Sequence, residues 1–307
     1  MMRKKRRLSL AGRRNLLGLA FITPWLLGFS FFFAYPLIQS AIYSLSNIVL
    51  TANGRKQSFI GGTNYTDIFT RDIYFTDRLT RFFLNTLYSL PVIIFFSLMI
   101  AIFINQPIRG KGLFRTVFFL PIIVVSGPVL TMLMEEGATT VPIIEQYGLY
   151  SFIEGMPYFL MEPLSFLFSQ LIMILWYSGV PILIFLAGLQ KIDKGLYEAA
   201  LIDGASAWVA FWKITLPALR DMMLINVIYT LVFLANSEVN EVIALIRSSM
   251  MSPDRGYGIA AAMAWSYSIC ILLALALCYI VIGKEKKRVE KHAYVTQRRR
   301  RYANGKH

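Results

Sequence analysis

Asn226, Thr230, Ser237, Glu238, Asn240 and Glu241 are polar residues set in one otherwise apolar stretch of the chain. At about 100° per residue, Asn226, Thr230, Phe233, Ser237, Asn240 and Glu241 share a stripe roughly 100° wide, with Glu238 beyond its edge. Amides, hydroxyls and carboxylates arranged in this way can hydrogen-bond a hydroxyl-rich solute and so form one wall of a polar translocation cavity. Ionisable groups in an apolar setting are costly, and they line cavities or meet partners rather than face lipid. Two other arrangements leave the same pattern: packing between subunits, or a helix that ends near Asn236 and leaves the carboxylates in water. Trp176 and Tyr177, in the preceding apolar segment, can stack on the apolar face of a ring-shaped solute or simply pack. Gly179 and Pro181 offer that segment a place to bend.

Other chemistries want residues that the chain lacks. An integral-membrane enzyme using Glu238 and Glu241 as acid and base would need further groups, such as histidines at the membrane face. His292 and His307 both lie in a basic tail, a spacing that makes no metal site. Cys270 and Cys278 both lie in the last apolar segment, which implies no extracellular disulfide framework. A proton-coupled secondary transporter could use the same carboxylate pair, but it predicts inverted repeats that are not apparent. Gly110-Lys111-Gly112 lacks the spacing and the hydroxyl of a phosphate-binding loop, so the sequence offers no motif to cradle ATP phosphates.

The surrounding elements are read from composition. The chain has 307 residues, 56% hydrophobic and 16% charged, with a mean hydropathy of +0.56. Soluble domains carry about 25% charged residues. Six windows are long enough to cross a bilayer, roughly 16–46, 82–104, 116–134, 164–189, 219–246 and 258–282. The expected fold is therefore an all-α polytopic membrane protein with six transmembrane helices. It comprises a basic N-tail (1–15), a six-helix membrane domain (16–282) with a polar loop at 190–217, and a basic C-tail (283–307). The first window begins like a signal peptide, but its apolar run is too long and has no cleavage site. It is expected to be a retained helix kinked at Pro24 and Pro36.

The net charge of +14 reports topology rather than nucleic-acid binding, because no aromatic-basic interleaving accompanies the clusters. With the N-terminus inside, 24 of the 31 Lys and Arg residues fall on inner segments. That bias puts both termini in the cytoplasm. The outer segment 47–81 carries turn formers, Asn53-Gly54 and Gly61-Gly62. The outer segment 135–163 carries Glu135, Glu136, Glu145, Glu154 and Glu162 with no basic residue. It reads either as a solvated loop or as a docking surface for an extracellular partner.

In this orientation residues 190–217 face the cytoplasm. Leu196 to Ile202 are good helix formers and Gly204 is a plausible stop. Glu198 near the helix start suits the positive end of the dipole. Ala199 and Ala200 are small enough to let a facing surface approach the backbone. Leu201, Ile202, Trp208 and Phe211 supply apolar anchors, and Pro217 marks the next membrane helix. An interfacial amphipathic helix would explain the periodicity. It would not explain Glu-Ala-Ala, three residues, Gly, nine residues, Ile, one residue, Leu-Pro.

That spacing resembles the EAA loop of permease subunits of binding-protein-dependent ABC importers, with Glu198, Ala199, Ala200, Gly204, Ile214, Leu216 and Pro217 all in place. The wider string Leu186-Ala187-Gly188-Leu189-Gln190, Leu196-Tyr197-Glu198-Ala199-Ala200 and Ile202-Asp203-Gly204-Ala205 is similar to carbohydrate-uptake permeases of the maltose/multiple-sugar type. Tyr35-Pro36, Asn64-Tyr65, Asn85-Thr86 and Phe118-Phe119-Leu120-Pro121 fit the same family. Asp193 departs from it, since proline is common there, and a very long outer insertion found in some maltose permeases is absent.

The resemblance implies a non-catalytic transport subunit in a bacterial or archaeal plasma membrane. Glu198, Ala199, Ala200, Asp203, Gly204 and Ala205 would form a coupling helix seated in a cleft of a cytoplasmic ATPase subunit. ATP and Mg²⁺ would be bound there and no cofactor by this chain. An extracellular solute-binding protein would deliver the sugar or oligosaccharide, and a second homologous permease would complete the pore, as a heterodimer. EAA loops also serve importers of non-sugar solutes, which leaves that alternative open.

Overall fold

The computed structural model describes residues 10–51, 54–106, 171–237, 239–252 and 255–304, besides Gly112, Met132, Pro157 and Met161. Apart from Met132, Pro157 and Met161, the expected span 116–134 and the acidic segment 135–163 lie outside the described residues, as does Glu238. In chain order the elements are α1 (Leu10–Phe29), a π-helical turn (Ser30–Ala34), α2 (Tyr35–Ser44), β1 (Ser46–Thr51), β2 (Gly54–Phe59), α3 (Thr63–Thr70) and α4 (Ile73–Asn105). There follow α5 (Leu171–Tyr177), α6 (Gly179–Leu189), α7 (Lys194–Ile202), α8 (Ala207–Ala210), a π-helical turn (Phe211–Thr215) and α9 (Leu216–Ala218). The last three are α10 (Arg220–Ala235), α11 (Glu241–Met251) and α12 (Gly256–Asn304). The protein is an all-α membrane protein, with one small hairpin among the described residues.

Among the described residues, Leu17–Ser44, Ile73–Asn105 and Gly256–Gly283 are each long and apolar enough to cross a membrane. Ala207–Ala218 and Arg220–Ala235 form a further apolar pair bent by 64°, and Gly179–Leu189 is a shorter apolar helix. The chain divides into two compact units: Met1–Phe75 with Leu245–Ser266, and Thr76–Ala244 with Tyr267–His307.

In the first unit the helix does not break at its prolines. Pro36 cannot donate to the carbonyl four residues back, and the preceding π turn widens the helix so that Tyr35 N–H bonds Ser30 O instead. β1 and β2 pair antiparallel from Ser46↔Phe59 to Thr51↔Gly54. Buried Asn64 holds the hairpin to α2, its Nδ2 donating to the carbonyls of Ser44 (2.9 Å) and Ser46 (3.0 Å). Tyr65 OH adds a bond to Ser44 Oγ at 2.8 Å. A Cβ at Gly258 would overlap the Ser46 carbonyl oxygen, so only glycine lets α12 pass this close. Asp72 pairs with Arg255 at 2.6 Å and accepts from Phe75 N at the start of α4.

The second unit is built on α4, α6, α10 and α12. Ile94, Leu98, Ala101 and Ile104 pack with Ile182, Phe185, Leu186 and Leu189, and with Leu219 and Val227. Helix association in lipid rests on close packing rather than on water exclusion. Gly188 shows how close the approach is, since a Cβ there would lie 2.7 Å from Met222 Cγ and 2.8 Å from Leu219 Cδ2. The expected span 164–189 is interrupted at Ser178, one residue before Gly179; Ser97 Oγ, bonded to Ile93 O at 2.6 Å, also reaches Ser178 O at 3.3 Å.

The expected continuous helix 219–246 is corrected. α10 ends at Ala235 and α11 starts afresh at Glu241, because side chains replace the helical ladder between them. Asn236 Nδ2 turns back to Val232 O at 2.8 Å. Asn240 Nδ2 and Tyr267 OH both donate to Ala235 O, each at 2.9 Å. Asn240 Oδ1 accepts from Val242 N at 2.9 Å and so begins α11. A 236–240 turn with its own partners costs less than forcing these polar residues through a lipid-facing helix.

Candidate functional site

Two places in the second unit have the chemistry of a site. The first is a cavity of about 240 Å³ between α4, α5 and the 236–240 turn. One face of α4 supplies Arg78, Phe82, Asn85 and Ser89, at the i, i+4, i+7, i+11 spacing of a helical stripe. Tyr177 closes the α5 side, and Ser237, Asn240 and Glu241 form the turn side. Tyr177 OH and Ser237 Oγ are 3.3 Å apart, and the Tyr177 ring meets Phe233 edge-on at 5.5 Å. α4 carries no charged residue from Phe82 to Asn105, so Arg78 and Arg81 stand where its charged end gives way to apolar sequence.

The structure divides the polar stripe read from the sequence. Ser237, Asn240, Glu241 and Tyr177 line the cavity. Asn226 and Thr230 do not, being 0% and 1% exposed, and Asn226 Nδ2 donates to Pro181 O at 3.3 Å. Asn226 Oδ1 and Thr230 Oγ1 are buried and have no partner among the described residues. Trp176 is half-buried and does not line the cavity, and Glu238 lies outside the described residues. The single stripe fails because the helix that would carry it stops at Ala235. Arg78, Arg81, Asn85, Thr86 and Ser89 were missed as cavity residues, although their spacing along α4 carried the signal. Tyr267, which holds the turn, left none.

The second place is α7. Asp193 caps its start, accepting from Gly195 N at 3.0 Å, so the residue standing where proline is common has its own local role. At the other end Ala205 N bonds Ala200 O at 2.8 Å and Gly204 N bonds Leu201 O at 3.1 Å. Gly204 has φ +75°, the left-handed residue of a Schellman motif, as its expected role as a stop requires. Ser206 then caps α8, accepting from Val209 N. The helix begins at Lys194, two residues before the expected start, so Glu198 lies beyond the first turn and its charge does not serve the dipole.

No residue of α7 is buried. Glu198, Ala199, Asp203 and Gly204 are exposed, with Ala200 and Ala205 half-buried. Leu201, Ile202 and Trp208 are 70%, 87% and 69% exposed. Tyr197 OH, 2.8 Å from Thr215 Oγ1, ties the helix to the base of the bent span. Leu201, Ile202 and Trp208 thus leave apolar surface beside the exposed carboxylates of Glu198 and Asp203.

A polar cavity among membrane helices and a protruding loop helix define a multi-pass membrane permease subunit. The chain belongs to the family described as binding-protein-dependent transport system inner membrane components, whose model matches residues 74–284. It is similar to a probable ABC transporter permease protein, YesP, of Bacillus subtilis (strain 168), with 30% identity over 214 residues, 70% of this chain and 68% of that protein. It is likewise 31% identical over 214 residues to the lactose transport system permease protein LacF of Rhizobium radiobacter, covering 69% of this chain and 70% of the relative. A chain from the crystal structure of a bacterial ABC transporter involved in import of the acidic polysaccharide alginate shares the fold. Its TM-score is 0.60 at 19% identity, over 89% of this chain and 96% of that one. As a member of this family the chain is a transport subunit and not an enzyme.

Proposed function

We propose that the chain is the membrane permease of an ABC importer for a sugar or oligosaccharide, seated in the plasma membrane with both termini cytoplasmic. The observation that carries this reading is α7: an EAA-type sequence folded as a doubly capped helix with no buried residue, tied to the rest of the described chain by the Tyr197–Thr215 bond and leaving Glu198, Ala199, Leu201, Ile202 and Asp203 exposed. Glu198, Ala199, Ala200, Asp203, Gly204 and Ala205 present the surface that a cytoplasmic ATPase subunit grips. ATP and Mg²⁺ reside on that subunit, and this chain holds no cofactor. The sugar assignment draws on the relatives' names, which include lactose and arabinooligosaccharide permeases.

A second, related permease completes the path. Supporting this, Leu17–Ser44 has an apolar window with no buried residue in its own chain, leaving Phe21, Trp25 and Phe32 for lipid or a neighbouring subunit. An extracellular binding protein delivers the solute to the cavity lined by Tyr177, Ser237, Asn240 and Glu241. ATP-driven closure of the ATPase pair draws the two coupling helices together and opens the cavity outward. Such a switch works only through differential affinity of ATP for the two states.

The test is Glu198→Lys in the assembled importer. Loss of ATPase co-purification and at least a tenfold loss of ATP-driven uptake is expected, with the circular dichroism of the permease unchanged. Unchanged transport-coupled ATP hydrolysis would overturn the assignment of α7. Uptake driven by a proton gradient without ATP would favour a secondary transporter instead.

A further inference from the structure

The cavity is richer in cationic groups than a neutral sugar requires. Arg81 is engaged, its Nε donating to both Asp77 carboxylate oxygens at 3.1 and 2.9 Å. Arg78 differs. It is half-buried in the cavity wall, and its bond is a long one, from Nη1 to the Glu241 carbonyl at 3.4 Å. Among the described residues no carboxylate pairs with it, not even that of Glu241 across the cavity. A guanidinium partly withdrawn from water keeps several donors in a planar fork, the geometry that fits a carboxylate through two parallel bonds.

The rest of the wall suits what such a carboxylate would be attached to. Phe82 lies one turn further along α4 and Tyr177 opposite, both offering ring faces or edges to an apolar sugar face. Asn85, Ser89 and Ser237 offer amide and hydroxyl groups to sugar hydroxyls. Glu241 keeps the cavity from being uniformly cationic, so any selection falls on where the ligand's charge sits.

We propose that the solute is an acidic oligosaccharide, one whose hexuronate carboxylate docks on Arg78. This deepens the sugar-permease reading and rests on it. Arg78 then sets specificity: a neutral sugar of the same shape fills the cavity but leaves the guanidinium without a counter-charge.

The experiment uses the detergent-solubilised complex of this permease, its second permease and its ATPase, so that the binding protein's own selectivity does not enter. Binding of hexuronate trimers (galacturonate, glucuronate and mannuronate), of their methyl esters and of neutral disaccharides is measured by thermal shift and calorimetry. At least one acid should bind the wild-type complex about ten- to hundredfold more tightly than its ester, the range expected for a charged hydrogen-bonded contact. Arg78→Gln should remove that ratio while leaving affinity for the ester within twofold, and Arg78→Lys should keep part of it. Equal binding of acid and ester by the wild type overturns the proposal, as does a parallel loss of both in Arg78→Gln. Binding of neutral disaccharides alone overturns it while leaving the sugar reading in place. If no saccharide binds and none is imported with ATP, the sugar reading itself falls.

Discussion

Two of the interruptions in the helices of the second unit are built in opposite ways. The segment around α7 keeps its shape through bonds that span two to five residues, from Gly195 to Asp193, Val209 to Ser206 and Ala205 to Ala200. The 236–240 turn depends on another helix, because Asn240 bonds Tyr267 and Tyr267 bonds Ala235, pairs 27 and 32 residues apart. The first segment buries no residue of α7, whereas Asn240 and Tyr267 are buried. A self-contained surface helix can be pressed by a partner without disturbing the core. A turn whose carbonyls are held by a neighbouring helix moves when that helix moves, and it carries the motion into the cavity wall.

Damage to the buried turn should therefore appear as lost stability, and damage to the exposed helix as lost coupling. The largest stability effect is expected for Asn240→Leu. It removes the amide that serves Ala235 O and Tyr267 OH and the oxygen that starts α11 at Val242. Buried polar groups left without partners cost about 1–3 kcal/mol. Thermal unfolding of the purified complex should fall by several degrees and uptake should be lost, while the ATPase still co-purifies. Unchanged unfolding would show that the turn does not need the cross-helix bonds.

Gly204→Val is the matching blow to the exposed helix. Nothing lies within 4 Å of a Cβ at Gly204, so the cost comes only from holding φ +75° with a branched side chain. That cost is about 1–2 kcal/mol, and it falls on the local geometry of the cap. ATP hydrolysis stimulated by the loaded binding protein should drop several-fold with the unfolding midpoint nearly unchanged. A large fall in the midpoint would erase the distinction between the two interruptions.

The same contrast explains what the sequence made legible. The caps of α7 are short-range, and Gly204 with the Glu-Ala-Ala spacing could be read as helix, stop and surface without any knowledge of the fold. The 236–240 turn could not be read this way, because Asn240 finds its partner on α12 and nothing in the local sequence announces it. A continuous stripe from Asn226 to Glu241 was the natural reading, and it fails after Ala235, where side chains take over the ladder. Arg78 entered only as one of the basic residues outside the 24 on inner segments, and Asn85 only as a family likeness. Their membership in a cavity wall depends on α5 and the turn coming to face α4. Asp193 is the reverse case, a departure from the family's usual proline that the structure explains as an N-cap.

Asp193→Ala tests that explanation at a smaller scale. Losing an N-cap costs about 1 kcal/mol of helix stability. Hydrogen exchange should quicken at the start of α7, with core amides unaffected, and ATPase affinity should weaken about two- to fivefold. Exchange that is unchanged at Gly195 would remove the capping role.

The smallest effect sharpens the comparison most, because it concerns the tie of the exposed helix to residues outside it. Tyr197→Phe keeps the ring and removes the hydroxyl that meets Thr215 at 2.8 Å, a part-buried bond worth about 1 kcal/mol. If α7 acted through its local caps alone, this change would be silent. If the helix is a lever that must pass force through Thr215 to the bent pair Ala207–Ala218 and Arg220–Ala235, the ATPase should still bind within twofold. More ATP should then be hydrolysed per solute imported. Thr215→Val should raise that ratio similarly, and the double variant should be no worse than either single one, since both remove one shared bond. Additive effects would mean that the two residues act separately and that the force leaves α7 by another route.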